Sequence, residues 1–142
     1  MRALLFLILL SACGSQPKGQ VPKAEKAEYE KTITGYSGAK QVSFYLEMLT
    51  DSATQINRFM INGEELEFTA SYHADRYYIR AEKVYRNPQR DPASEISESE
   101  FNTAPLYQAR THEAAVYYTL SSGDKSAVKI SEWQQKKVRE HP

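Results

Sequence analysis

The chain predicts an all-β domain, a small antiparallel β-sandwich of about six or seven strands. Three observations carry that reading. Apolar residues alternate with polar ones over several short segments, the period of a half-buried strand. Clusters of glycine, proline, asparagine and serine separate those segments at roughly eight- to twelve-residue intervals. No stretch beyond the N-terminus keeps a helical apolar period for more than two turns.

Each element has its own signal. Ile33-Thr34-Gly35-Tyr36 fits a short first strand. Val42, Phe44, Leu46 and Met48 alternate with Ser43, Tyr45 and Glu47, which predicts a strand with one buried face. Phe59 and Ile61 face Leu66 and Phe68 across Asn62-Gly63-Glu64. Asn-Gly tolerates positive φ at both turn positions, so this is a hairpin, and Phe68 to Tyr72 is expected to extend it. Tyr77, Ile79 and Ala81 alternate with Tyr78, Arg80 and Glu82 in a further strand. Ala114, Val116, Tyr118 and Leu120 predict another; Ser121 to Asp124 turns the chain, and Val128 and Ile130 return it, with Trp133 behind. Count and spacing suggest an immunoglobulin-like sandwich in architecture, although the disulfide of antibody domains is absent. A small antiparallel barrel is the alternative.

One connection breaks the rhythm. Asn87 to Pro105 contains three prolines and the acidic run Glu95 to Glu100. Asp91, Glu95, Glu98 and Glu100 have no spacing of an EF-hand or repeat-type calcium site. The expectation is a solvated loop, or a short helix at Ser94 to Glu100.

The N-terminus carries a different signal. Arg2 precedes the apolar run Ala3 to Leu10, which ends in Ser11-Ala12-Cys13. Eight apolar residues are too few for a bilayer crossing, which takes about 17, but they fit the apolar region of a secretory signal. Leu10-Ser11-Ala12-Cys13 resembles the lipobox of bacterial lipoprotein signal peptides, in which the cysteine is lipidated and becomes the mature N-terminus. The resemblance implies a signal peptide at 1–12 and a diacylglyceryl thioether on Cys13. Two or more acyl chains hold a protein on a membrane where one chain gives only reversible binding. Gly14, where an aspartate would favour the inner membrane, implies the outer membrane. Gly14 to Gln20 has no acid, which implies a periplasm-facing position. More weakly, Thr34 to Lys40, Ile61 to Leu66 and Ala115 to Tyr118 resemble small uncharacterised lipoproteins of Bacteroidota, a group that brings fold and location but no catalytic residues.

Residues 13–30 are expected to be a lipidated, flexible tether. They hold Gly14, Pro17, Gly19 and Pro22 with interleaved lysines and almost no apolar content. Lys23 to Glu28 is at most a helical turn, too short to be stable alone. Residues 31–142 then form the sandwich, a size sufficient for one core.

Composition bounds the function. Eighteen basic and 18 acidic residues balance, so there is no electrostatic case for nucleic acid. The single cysteine leaves no internal disulfide. Nucleophile-elbow, zincin and phosphate-loop signatures are missing. The expectation is a non-enzymatic envelope lipoprotein without cofactor or metal, which binds membrane lipid through Cys13 and an envelope protein or glycan through its domain. Ten tyrosines offer the contact surface. The doublets Tyr77-Tyr78 and Tyr117-Tyr118 put one ring on each face of a strand, and outward Tyr45, Tyr78 and Tyr117 would make an aromatic platform if they shared a sheet face. The alternative is a small envelope enzyme or metal-handling protein, with a site assembled around His73, Asp75, His112 and Glu113. A zinc site needs three ligands converging on one point, which the spacing does not specify.

Overall fold

The computed structural model describes residues 21–35 and 37–136. Residues 1–20, which hold the expected signal peptide and Cys13, lie outside the described residues, as do Tyr36 and residues 137–142. Nine strands and two short helices follow one another: β1 (Lys23–Ile33), β2 (Lys40–Leu49), β3 (Gln55–Ile61), β4 (Glu64–Leu66), β5 (Phe68–His73), β6 (Arg76–Tyr85), α1 (Glu98–Thr103), α2 (Pro105–Gln108), β7 (Ala114–Thr119), β8 (Lys125–Ile130) and β9 (Gln134–Gln135).

They form two sheets, ordered β5-β6-β2-β1-β9 and β4-β3-β7-β8. In immunoglobulin lettering, β1, β2, β6 and β5 take the places of A, B, E and D, and β3, β7 and β8 those of C, F and G, with β4 as C′. The sandwich is therefore immunoglobulin-like in strand order. Only the two-residue pairing of β1 with β9 is parallel.

The expected alternation is what fills the space between the sheets. Val42, Phe44, Leu46 and Met48 point inward from β2, Ile79 and Ala81 from β6, Phe59 and Ile61 from β3, and Val116 and Tyr118 from β7; all are buried. Phe44 packs on Phe59 with ring centroids 6.3 Å apart and edge-on against Trp133 at 5.5 Å. Apolar packing joins the sheets, with the Lys83–Glu64 ion pair at 2.6 Å linking β6 to β4 at one edge, where antibody domains add a disulfide.

Three expectations need correction. Lys23 to Glu30, assigned to the tether, belong to β1, so the domain begins at Lys23. The lysine–glutamate alternation hides this strand, because only Ala24, Ala27 and Tyr29 turn toward the core. What holds it is an antiparallel ladder to β2 from Lys23↔Leu49 to Ile33↔Lys40. Pairing with an apolar neighbour overrides weak intrinsic propensity. Second, the Asn62-Gly63 hairpin closes at Ile61↔Glu64 and ends at Phe59↔Leu66. Phe68 to Tyr72 do not extend it; the chain crosses at Glu67 to the other sheet and pairs with β6. Third, the 87–105 connection is folded onto the core. The Ser97 hydroxyl caps α1 by accepting the Glu100 N–H at 3.0 Å. Ala104 and Leu106 are buried, with Ile96 and Phe101 packed beside them. The buried Tyr85 hydroxyl accepts the Leu106 N–H at 3.1 Å, which docks the start of α2.

Candidate functional site

The outer face of the β4-β3-β7-β8 sheet carries a shallow groove lined by Tyr117, the candidate contact surface. A register shift between Ile56 and Arg58 bulges β3 opposite β7. A bulge re-aims side chains and bends the strand. Here Asn57 and Arg58 are both exposed. The Asn57 amide donates to the Thr119 hydroxyl at 2.8 Å, which fixes its orientation. Arg58 donates from Nε to Glu65 Oε1 at 3.2 Å and from its terminal nitrogen to Oε2 at 3.1 Å. That fork holds the guanidinium 5.2 Å from the Tyr117 ring centroid. The Glu65 hydrogen bond, and then its charge, raise the Arg58 pKa, so the cation persists at any physiological pH.

Tyr117 is central to this face. The residue is 39 % exposed although it sits mid-strand. Ala127 on β8 stands opposite it in the ladder and is too small to cover it. Asn57, Arg58, Thr119, Lys125 and Ala127 line the same shallow groove, of about 670 Å³. Lys125 and Lys129 share the outer face of β8, and neither is in an ion pair among the described residues. The face thus offers one ring, oriented amide and hydroxyl groups, and a cationic margin.

The three tyrosines do not share a face. Tyr45 lies on β2 and Tyr78 on β6 of the five-stranded sheet, while Tyr117 lies on β7 of the other. The doublets do split as expected: Tyr117 is outward and Tyr118 buried, Tyr78 outward and Tyr77 half-buried. Tyr45 is already engaged, with Lys136 Nζ 3.8 Å and Arg80 Cζ 5.5 Å from its ring centroid. Glu28 holds both Lys26, at 3.4 Å, and Lys136, at 3.5 Å.

The histidines are also apart. His73 ends β5 beside the tight Ala74-Asp75 turn and is exposed. His112 precedes β7 and is buried against the rings of Tyr29 and Phe44, at 4.5 and 5.1 Å. Glu113 points outward, and its N–H donates to Asn62 Oδ1 at 2.7 Å. Among the described residues no three His, Cys, Asp or Glu side chains converge as metal ligands would. In the 87–105 segment Asp91 caps its own turn by accepting the Ala93 N–H at 2.9 Å, and Glu98 accepts from Gln89 at 2.8 Å.

Of the three tyrosines that the sequence singled out, Tyr117 alone lines this groove, and its neighbours there carry no sequence signal. Arg58, Asn57 and Lys125 are ordinary polar residues on strands, and the bulge that gathers them leaves no composition signal. Comparison with protein-family models, curated proteins and solved structures finds no match for this chain.

Proposed function

We propose that this protein is a non-catalytic binding or assembly module of the bacterial cell envelope. It is lipid-anchored through Cys13 at the outer membrane, faces the periplasm, and contacts an envelope protein or glycan with the groove around Tyr117. The observation that carries the reading is the groove itself: an exposed mid-strand ring beside an arginine fixed by Glu65. Exposed aromatics with an apolar body and a polar tip are enriched where partners bind. Immunoglobulin-like sandwiches host many functions, so the surface has to carry the argument and not the fold.

The test is an affinity capture of the full-length protein from cross-linked envelopes, read by mass spectrometry and glycan analysis. Tyr117→Ala and Cys13→Ala are run beside it, with palmitate labelling to follow the anchor. The expected result is one dominant partner, reduced at least about tenfold by Tyr117→Ala as for an interface hot spot. Label incorporated by the parent and not by Cys13→Ala supports the anchor. A partner retained in full by Tyr117→Ala overturns the assignment of this face. Label found in both proteins, or in neither, overturns lipidation of Cys13.

A further inference from the structure

Four strands form the edges of the two sheets, and three are protected in recognisable ways. β9 covers only Glu28 and Tyr29 of β1, whose remaining edge is rich in lysine and glutamate, and β4 covers Phe59 to Ile61 of β3, whose remaining edge carries Arg58 and the bulge. β8 carries exposed Lys125 and Lys129 near its two ends. Short length and lysine are the usual defences of an edge against pairing with another chain.

β5 has none of these. It is hydrogen-bonded to β6 alone. Its six residues, Phe68-Thr69-Ala70-Ser71-Tyr72-His73, contain no acid, lysine, arginine, proline or glycine. Its register with β6 runs from Phe68↔Ala81 to His73↔Arg76 without a bulge. Ala70 and Ser71 are exposed, while Phe68 and Tyr72 are only half-buried. Its free edge is therefore straight and uncharged.

The sequence of β5 is chemically palindromic about Ala70: aromatic, hydroxyl, alanine, hydroxyl, aromatic. A two-fold interface requires this kind of self-complementarity, because each residue meets its symmetry counterpart. An axis perpendicular to the sheet and midway between the two copies of Ala70 would set Ala70 against Ala70, Thr69 against Ser71 of the second copy, and Phe68 against Tyr72 of the second copy. Such an axis keeps the inner faces of both sheets on one side, so the half-buried rings meet each other and the hydroxyls meet each other. Aromatic pairs and hydroxyl pairs directly opposite are favourable cross-strand combinations, and no like charges are opposed. The free edge would gain about four to six backbone hydrogen bonds, according to which residues point their amides outward.

We propose that two copies of this chain associate through antiparallel pairing of β5 with β5, merging their five-stranded sheets into one. The inference is independent of what binds at Tyr117, which lies on the other sheet. Sedimentation of the full-length chain in density-matched detergent tests it. The expected result is a concentration-dependent rise in protein mass from that of one chain toward that of two, with a midpoint below about 1 mM, as suits a small interface. Thr69→Lys/Ser71→Lys opposes lysines twice across the axis and is expected to weaken association at least about tenfold. Thr69→Glu/Ser71→Lys opposes opposite charges and is expected to keep or strengthen it. Both sites are exposed, so circular dichroism melts should show both chains folded. A parent chain that remains monomeric throughout overturns the proposal. So does association of equal strength in the two doubly substituted chains, which would place the contact elsewhere.

Discussion

His112 is 1 % exposed, and neither of its ring nitrogens has a hydrogen-bond partner among the described residues. Its neighbours are the Tyr29 and Phe44 rings, with the Lys31 ammonium as the nearby charge. Burial, and secondarily Lys31, lower its pKa from 6.5 to about 4. The imidazole is therefore neutral in the folded domain. The unfolded chain protonates near pH 6.5 while the folded one resists until about 4, so stability is full above pH 6.5 and is lost as the pH falls through that window. At 1.36 kcal/mol per pH unit, the loss reaches about 2 kcal/mol by pH 5 and about 3 kcal/mol below pH 4. The perturbation is His112→Leu, of similar volume and without a titrating group. Urea unfolding of parent and variant at pH 8, 6.5 and 5 gives the difference directly. Carboxylates common to both proteins cancel in it. At pH 8 the variant should be at least as stable, because an unsatisfied buried donor costs about 1–3 kcal/mol. By pH 5 the variant should have gained a further 2 kcal/mol or so on the parent, roughly 10 °C in melting temperature. Stability curves that stay parallel from pH 8 to 5 would refute the reasoning, since they would mean that His112 titrates alike in both states.

Two further changes probe what positions the elements. Tyr85→Phe removes the acceptor of the Leu106 N–H and should cost about 1–3 kcal/mol by urea unfolding, because the orphaned amide is buried. Asn62 has φ 47, donates to the Thr111 carbonyl at 3.2 Å and accepts the Glu113 N–H at 2.7 Å. Asn62→Ala forfeits a residue tolerant of the left-handed region and both bonds; the expected loss is about 1–2 kcal/mol in chemical denaturation, whereas Asn62→Asp keeps the backbone tolerance and the acceptor for Glu113 but not the donor to Thr111, and should lose less.

Much of the fold was legible because period two is a strong signal wherever one face of a strand is buried. Val42 to Met48, Tyr77 to Ala81 and Ala114 to Tyr118 each read correctly for that reason. β1 did not, because its stability comes from the neighbour to which it is paired. Glu25, at the irregularity in that pairing, reaches Arg76 at 2.6 Å, a contact that no local pattern announces. The β5-β6 hairpin was missed as a turn because Ala74-Asp75 carries no Asn-Gly signature, yet both residues take positive φ, at 51° and 61°. His112, which its sequence neighbours offer only as a metal-ligand candidate, is a core residue, and only the packing of Tyr29 and Phe44 reveals it.

The two outer faces differ in how far their polar groups are already committed, and this difference supports the proposed assignment of the contact surface to the four-stranded sheet. On the five-stranded sheet Glu82 accepts from Gln41 at 2.9 Å and from Arg80 at 3.3 Å, Glu28 holds two lysines, and Tyr45 has two cations close to its ring. A ligand there would have to displace exposed pairs, each worth at most about 1 kcal/mol singly but joined here into a network. On the other sheet Arg58 is fixed by Glu65 and lies 5.2 Å from the Tyr117 ring centroid, Asn57 is fixed by Thr119, and Lys125 and Lys129 make no ion pair among the described residues. The fixed groups need little reordering when a partner arrives, which reduces the entropic cost of binding, and the uncommitted ones keep their capacity for it. A partner that uses this face should therefore be sensitive to Glu65→Gln, which loosens Arg58 without touching the groove floor. A several-fold loss of affinity in binding assays, with the melting temperature unchanged within about 2 °C, would place preorganisation at the centre of recognition; unchanged affinity would leave Tyr117 as the sole determinant.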